Sequence, residues 1–367
     1  MNNLEFTAKL YGQGQFVHSV DNPQLPDGFI NYHKANFAKY FVTPEEKFIG
    51  LTILETGCGP GKHAVVLALM GADVTAMDLS ADNIERGKKL KEFYRLDNLD
   101  FSQQDLMRPI ENQGPFDCVS AHNWMQHAEN PAVVFSHLVD VLKPGGRIYF
   151  SLYHGQTFRF FITQIARRVL QRSHYDLMRE LVIFYFPAGL REFNNPDDIY
   201  LENIFDDFFV PYCHTTTYET IIAQARNFGC RPITPVPDLD NIYDLDNTPL
   251  RIGFEKYEKT AAGLPLIYTQ PVDEFKGPCP SYMQDTVKLA ETAIEYLNTL
   301  NNPYMTCSFC LGLYRLRAMT SLREQAEKRH QLLQGYLEMT LAKSTKAISA
   351  FYDTQKLYQD RRKGEKQ

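Results

Sequence analysis

The feature that most constrains this chain is a glycine loop set between an apolar run and a helix. Leu51-Thr52-Ile53-Leu54-Glu55 reads as a short strand. It ends in Thr56-Gly57-Cys58-Gly59-Pro60-Gly61, and a helical pattern follows over Lys62 to Met70. Glycines there let a ligand approach backbone N–H groups directly, at the positive end of a helix. The loop therefore predicts an α/β unit that holds a nucleotide-like ligand. A dinucleotide fingerprint wants its third glycine at the sixth position. Here the sixth position is Lys62, the third glycine comes one residue early, and an acid, Glu55, precedes the first. An NAD-dependent oxidoreductase fails on that spacing.

The alternation continues downstream. Asp73 to Met77 reads as a second strand ending at Asp78, and Ser80 caps a helix running to Tyr94. Leu99 to Gln103 is a third strand, ending near Asp105. Phe116 to Ala121 is a fourth. A helix over Ala132 to Leu142 stops at Lys143-Pro144-Gly145-Gly146, and Arg147 to Tyr153 is a fifth strand. This rhythm predicts a Rossmann-like, doubly wound parallel sheet with helices on both faces. Ligands in such sheets bind beyond the carboxyl ends of the strands. A carboxylate at Asp78 offers two oxygens to two ribose hydroxyls, and Asp105 can accept from an adenine amino group. The alternative for each acid is a cap on the helix expected after it, and ligand binding is the favoured reading for both.

At this point the chain resembles the class I S-adenosylmethionine (SAM)-dependent methyltransferases. Ile53 to Gly61 is similar to their motif I. Asp78 and Asp105 match the acids after the second and third strands. Phe116-Asp117-Cys118-Val119 is similar to the fourth-strand motif, and Leu142-Lys143-Pro144-Gly145-Gly146 to the turn before the fifth strand. The resemblance spans about residues 45–155, and 214–257 more weakly. It implies SAM as cofactor. Glu55, Gly57, Cys58, Gly59 and Gly61 would lie near its methionine end, Asp78 and Leu79 at the ribose, Asp105 and Leu106 at the adenine, with His122 beside them.

Methyl transfer is an in-line displacement that rests largely on alignment, and a base matters only for a protonated nucleophile. A small-molecule acceptor with an O, N or C nucleophile fits this chemistry. The segment His122-Asn123-Trp124-Met125-Gln126-His127 resembles that of a subgroup whose segment ends in two histidines, except that Gln126 replaces the first. His127 is then a base or a ring packed on its own loop, and Trp124 packs or stacks on substrate. The candidate catalytic residues are His214, His122 and His127, because histidine removes protons near neutral pH. Asn123, Tyr153, His154, Tyr212 and Tyr11 are candidates for the acceptor pocket.

Three segments follow: a leader over 1–50 that caps the active site, a SAM-binding domain over 51–257 with a helical insertion at about 155–212, and a helical C-terminal extension over 258–367. Within the leader, Tyr11-Gly12-Gln13-Gly14-Gln15-Phe16 reads as a loop and Asn31 to Phe41 as a helix. The insertion carries helical patterns over Phe158–Gln171 and Tyr175–Phe186, then an acidic, aromatic stretch from Asp197 to Tyr212. Its phenylalanines, with the leader, are expected to line the acceptor pocket. Thr217 to Phe228 is a helix, and Arg231 to Val236 and Thr248 to Tyr257 are a last pair of strands. Met283, Val287, Ala290, Ile294 and Leu297 make one apolar stripe. Ser321-Leu322-Arg323-Glu324 has capping-box form and opens a helix reaching toward Leu357. These C-terminal helices should pack within the chain, or pair in a homodimer.

Charge and cysteines bound the partners. A net charge of −6 lacks the basic field of a nucleic-acid binder. Seven scattered cysteines read as reduced thiols in a cytoplasmic protein. The pair Cys307 and Cys310 lacks a second pair or a nearby histidine, so no metal site is expected. The start Met1-Asn2-Asn3-Leu4-Glu5 lacks the pattern of a secretion signal, and the run Leu181 to Phe186 is too short to span a bilayer. The competing readings are a protein, peptide or RNA acceptor, and a catalytically inactive SAM-fold scaffold.

Overall fold

The structure, a computed structural model, describes residues 2–12, 23–111, 113–155, 157–185, 201–235, 250–257, 270–271, 281–319 and 326–342. These divide into two compact units. One is drawn from within Met1–Gly155, Val210–Asp240 and Thr248–Pro271, the other from within Gln156–Phe209 and Val272–Gln367.

The first unit is α/β. Helices α1 (Asn3–Gly12) and α2 (Asp27–Tyr40) precede β1 (Thr52–Thr56), α3 (Lys62–Leu69), β2 (Asp73–Asp78), α4 (Ala81–Tyr94), β3 (Leu99–Gln103), β4 (Phe116–His122), α5 (Pro131–Asp140) and β5 (Leu142–Leu152). The second unit then takes α6 (Phe158–Val169), α7 (Tyr175–Tyr185) and α8 (Leu201–Phe208). The chain returns through β6 (His214–Thr215), α9 (Tyr218–Asn227), β7 (Cys230–Pro232), β8 (Leu250–Lys256) and β9 (Gln270–Pro271). It ends in α10 (Ser281–Leu300), α11 (Pro303–Met319) and α12 (Ala326–Leu341).

Seven strands form one sheet in the order β3-β2-β1-β4-β5-β8-β7. The first five are parallel, as the rhythm predicts, and β8 and β7 close the edge antiparallel. Strand order reverses between β1 and β4, which opens a crevice at their carboxyl ends. Both faces are buried, and side chains alternate between them. Ile53, Cys118 and Tyr149 enter the core under α2 and α3, while Leu54, Val119 and Phe150 enter the core under α5 and α9.

The position of α2 matters for the site. Gly253 of β8 lets the Tyr40 carbonyl at the end of α2 rest on the sheet, where a Cβ would collide with it. Arg147 Nη1 donates to the carbonyls of Phe41 and Val42 at 2.8 and 2.9 Å. One end of α2 is thereby pinned.

Several sequence expectations are corrected. Tyr11 and Gly12 are the last residues of α1 rather than a loop, and Gln13 to Phe16 lie outside the described residues. Helix α2 starts at Asp27, after Pro26, four residues before Asn31. The Lys143-Pro144-Gly145-Gly146 segment is a bulge inside β5: pairing with β4 shifts register between Phe116 and Cys118, so the fifth strand begins at Leu142. The Ser321 capping box, and everything beyond residue 342, lie outside the described residues.

In the second unit, the insertion helices and the C-terminal helices share one core. Helix α6 packs on α8, α10 and α11, and α12 packs on α10 and α11. Phe158, Phe160, Phe161, Phe205, Phe208 and Phe209 are all buried there. The α10 stripe is likewise covered at Ala290, Ile294 and Leu297. Cys307 and Cys310 lie buried on α11, and their thiols face the carbonyls of His174 and Ala166. Asp207 of α8, fully buried, takes a fork from Arg159 of α6: Nη2 donates to Oδ1 at 2.8 Å and Nε to Oδ2 at 3.2 Å.

Candidate active site

The glycine loop is held from two sides. Cys58 N–H donates to the Met77 carbonyl at 2.9 Å, and Gly59 N–H donates to Asp78 Oδ2 at 2.8 Å. The other oxygen, Oδ1, accepts from Ser80 N–H at 2.8 Å and from Asn83 Nδ2 at 3.3 Å. Asp78 therefore ties the loop to the start of α4. It is not that helix's N-cap, which is Ser80, whose hydroxyl accepts from Asn83 N–H. Burial raises the Asp78 carboxyl above its ordinary value, against the pull of these donors.

The loop has a closed side and an open one. Gly57 and Gly59 have φ of +56° and +53°, which favours glycine. A Cβ on Gly57 would fall into the Trp124 ring, whose Nε1 donates to Thr56 Oγ1 at 3.1 Å. Trp124 is thus a wall of the loop. A Cβ on Gly59 would meet nothing within 4 Å. Gly61, at φ +85°, opens α3 as its N-cap. The N–H groups of Cys58, Gly59 and Gly61 are taken up within the protein, so what the open side offers is the space in front of Gly59.

At the next strand end, Asp105 Oδ1 accepts from Met107 N–H at 3.0 Å, and its carbonyl accepts from Arg108 N–H. The expectation that a helix follows Asp105 is overturned: a turn does, and Asp105 shapes it. Leu106 is buried in the core under α5. The Leu79 carbonyl accepts from Gln103 Nε2 at 3.0 Å.

Beyond β1 and β4 lies a cluster that the sequence reading did not assemble. His33 of α2, His63 of α3 and His122 of β4 meet. The rings of His63 and His122 stack with centroids 4.2 Å apart and 18° between planes, and His33 lies 4.3 Å from His63. Phe29, Phe37 and Tyr149 surround them. Burial pulls the imidazoles of His33 and His122 down to about 4 and about 3, and that of His63 well below its ordinary value. All three are uncharged at neutral pH. Glu55, at the end of β1, is buried beside them. Burial raises it to about 8, and its Oε1 lies 3.9 Å from His63 Nδ1. Arg251 of β8 pairs across β5 with Ser151, which pairs in turn with His122. Its Nη1 donates to Tyr32 OH at 3.1 Å. Among the described residues, His33 Nδ1, His122 Nδ1, Glu55 Oε2 and Arg251 Nε are buried atoms without a hydrogen-bond partner.

The remaining candidates spread along the same edge. Asn123, exposed at φ +55°, accepts from the Ser151 hydroxyl and donates its N–H to the Ser151 carbonyl. His127 Nδ1 lies 3.1 Å from the Tyr212 carbonyl, so it carries the proton and donates. Tyr153 packs edge-on to His127. Tyr212 OH accepts from Asn3 Nδ2 at 3.1 Å, and the rings of Tyr212 and His214 stack 6.4 Å apart. His214 sits on β6, paired with Pro271 of β9. Tyr11 ends α1. The structure thus joins His122 to His33 and His63, and His127 to Tyr153 and Tyr212.

His154 has a separate consequence. It is 1% exposed, and burial pulls its imidazole from 6.5 down to about 4. As pH falls the unfolded chain takes the proton first. The neutral ring's contribution is present above pH 6.5 and is lost as pH falls toward 4, roughly 3 kcal/mol in all. His154→Gln should flatten the fall in melting temperature between pH 7 and pH 5. Parallel melting curves in variant and parent would refute this.

Residues 53–146 match the family model described as methyltransferase domain. The ubiquinone biosynthesis O-methyltransferase of Xanthomonas axonopodis pv. citri is 25% identical over 195 residues, 53% of this chain and 79% of that protein. That of Xylella fastidiosa is 26% identical over 184 residues, 50% of this chain and 72% of that protein. Among solved structures, magnesium protoporphyrin IX methyltransferase from Synechocystis PCC 6803 with bound SAM covers 70% of this chain and 98% of its own, at 14% identity and a TM-score of 0.43.

Proposed function

We propose that this chain, whose residues 53–146 match a methyltransferase-domain model, is a class I SAM-dependent methyltransferase that methylates an oxygen of a small aromatic acceptor held between α2 and the carboxyl ends of β1, β4 and β5. The observation that carries this reading is the set of buried, unpartnered polar atoms on His33, His122, Glu55 and Arg251, walled by Phe29, Phe37 and Tyr149. A buried polar atom without a partner is costly unless a ligand satisfies it. The O-methyltransferase relatives support oxygen as the acceptor atom.

When bound, SAM would supply a methyl group from its sulfonium sulfur: the C–O bond to the acceptor forms as the C–S bond breaks, the electron pair stays on sulfur in S-adenosylhomocysteine, and the hydroxyl proton is released. The glycine loop, with Asp78 and Leu79 on one side and Asp105 and Leu106 on the other, is where the chain would hold it. The open space in front of Gly59 fits that role. His122, uncharged at neutral pH, can accept the hydrogen bond of an acceptor hydroxyl and orient its oxygen. Arg251 can meet a negative or carbonyl oxygen on the same acceptor. We place Asn123, His127, Tyr153, His154, Tyr212, His214 and Tyr11 at the rim of this pocket.

No helix of the described residues is long and apolar enough to cross a membrane. A cytoplasmic setting belongs to this reading, supported by six described cysteines that are all buried and outside any disulfide. So does pairing of two copies through α12, supported by exposed Leu332 and Met339, one heptad apart. Sedimentation as a monomer at all concentrations would remove the pairing.

The test is a panel of phenols and catechols incubated with methyl-labelled SAM. Label in a methyl ether is expected. Asp78→Asn should weaken SAM by roughly tenfold to a hundredfold, since charge-assisted hydrogen bonds are worth about 1.5–3 kcal/mol. His122→Ala should lower turnover more than about tenfold with SAM affinity intact. Label confined to protein or RNA would overturn the small-molecule reading.

A further inference from the structure

The three histidines have a property that ring packing does not require. One nitrogen from each of His33, His63 and His122 lies within 4.8 Å of the other two. They come from α2, α3 and β4, so the arrangement is made by the fold and not by local sequence. Three nitrogens bound to one zinc-like ion, at about 2.0–2.1 Å each, stand about 3.3–3.6 Å from one another. The observed set must therefore close by roughly an ångström, and His63 and His122 must turn out of their stacking to aim at one point. Two of these rings, His33 and His122, each present a buried Nδ1 with no partner among the described residues. Glu55 stands 3.9 Å from His63 Nδ1, in the place of the carboxylate that commonly orients a ligating histidine.

We propose that His33, His63 and His122 bind one divalent first-row transition-metal ion, zinc before others, with Glu55 as the outer partner of His63. Three neutral imidazoles suit zinc, iron, cobalt, nickel or copper, and do not suit magnesium or calcium. Such a three-histidine set leaves a coordination position open. That position would take an oxygen of the acceptor in place of its hydrogen bond to His122, a step that rests on this edge being the acceptor site. Metal binding itself does not rest on it.

The experiment uses the full-length protein, stripped with a chelator, dialysed, and titrated with Zn²⁺ by calorimetry and with Co²⁺ by visible absorption. One equivalent should bind, and the Co²⁺ spectrum should show nitrogen and oxygen ligation without a thiolate charge-transfer band. His63→Ala and His122→Ala should each weaken binding by more than about a hundredfold, above the loss typical for an outer partner. Glu55→Gln should weaken it by about tenfold to a hundredfold. His174→Ala, in the helical unit, should leave it unchanged. Absence of stoichiometric binding, unchanged affinity in both histidine variants, or a thiolate band lost in Cys307→Ser would overturn the proposal. If the histidine variants fail to fold, the spectrum of the parent protein still decides between imidazole and thiolate ligation. Binding without turnover on any acceptor would leave the metal site standing and sink the acceptor reading.

Discussion

Asp207→Ala is expected to lower the unfolding free energy of the helical unit by about 3–5 kcal/mol. Asp207 has no exposed surface, and its partner Arg159 is 13% exposed. Removing the carboxylate takes away the partner of a largely buried guanidinium. The net contribution of the pair is smaller than this loss, because the cost of burying both charges offsets much of their Coulomb attraction. The contrast that identifies the mechanism is Arg159→Met with Asp207→Leu. This double variant removes both charges and fills the space, and should recover most of the stability. Urea unfolding followed by circular dichroism measures both. A loss under about 1 kcal/mol in Asp207→Ala, or a double variant as unstable as the single, would contradict the account.

Gly57→Ala and Gly59→Val are expected to fail in opposite ways. Both positions have left-handed backbone, where a side chain costs roughly 1–2 kcal/mol. At Gly57 the new Cβ also enters the space of the Trp124 ring, and overpacking adds about 1–3 kcal/mol. Gly57→Ala should therefore lose several kcal/mol of stability, and Trp124→Ala should relieve part of it, a coupling that a double-mutant cycle reads. At Gly59 the side chain meets no protein atom. Gly59→Val should keep the fold within about 2 kcal/mol. Its bulk would stand where the cofactor must reach the loop, and SAM affinity should fall by about a hundredfold or more, close to 2.7 kcal/mol. Tight SAM binding in folded Gly59→Val would refute the use of this loop.

The first three parallel strands were legible because an acid stands at or just beyond the end of each, Glu55 for β1, Asp78 for β2 and Asp105 for β3, while β4 and β5 were legible as apolar runs. Lys143-Pro144-Gly145-Gly146 misleads because its composition is that of a turn, while pairing with β4 absorbs it as a bulge. Helix α11 escaped notice because it packs on α6, α7 and α12, so buried residues such as Phe309, Leu311, Leu313 and Tyr314 lie around it and no single stripe forms. The insertion's aromatic residues suggest a pocket in isolation, but the described phenylalanines among them fill the core of their own unit.

The histidine cluster was hidden for another reason. Its members sit on three elements, and no spacing links them. One signal was present: Phe29, His33 and Phe37 recur every four residues, which puts a polar ring in the middle of an apolar stripe. A buried imidazole at such a place needs partners from elsewhere in the fold.

The helical unit is discontinuous, and this bears on how the protein is made. Helix α6 emerges from the ribosome with eight buried positions, yet α10 and α11, which cover it, are synthesised only after the chain has returned to complete the sheet with β7 and β8. At roughly 5–20 residues per second, the apolar face of α6 waits several seconds for its cover. During that interval the α/β unit can close around its own core while the insertion stays a client for chaperones. Slowing translation between α8 and α10 should therefore lower the yield of soluble protein more than the same delay placed after α12.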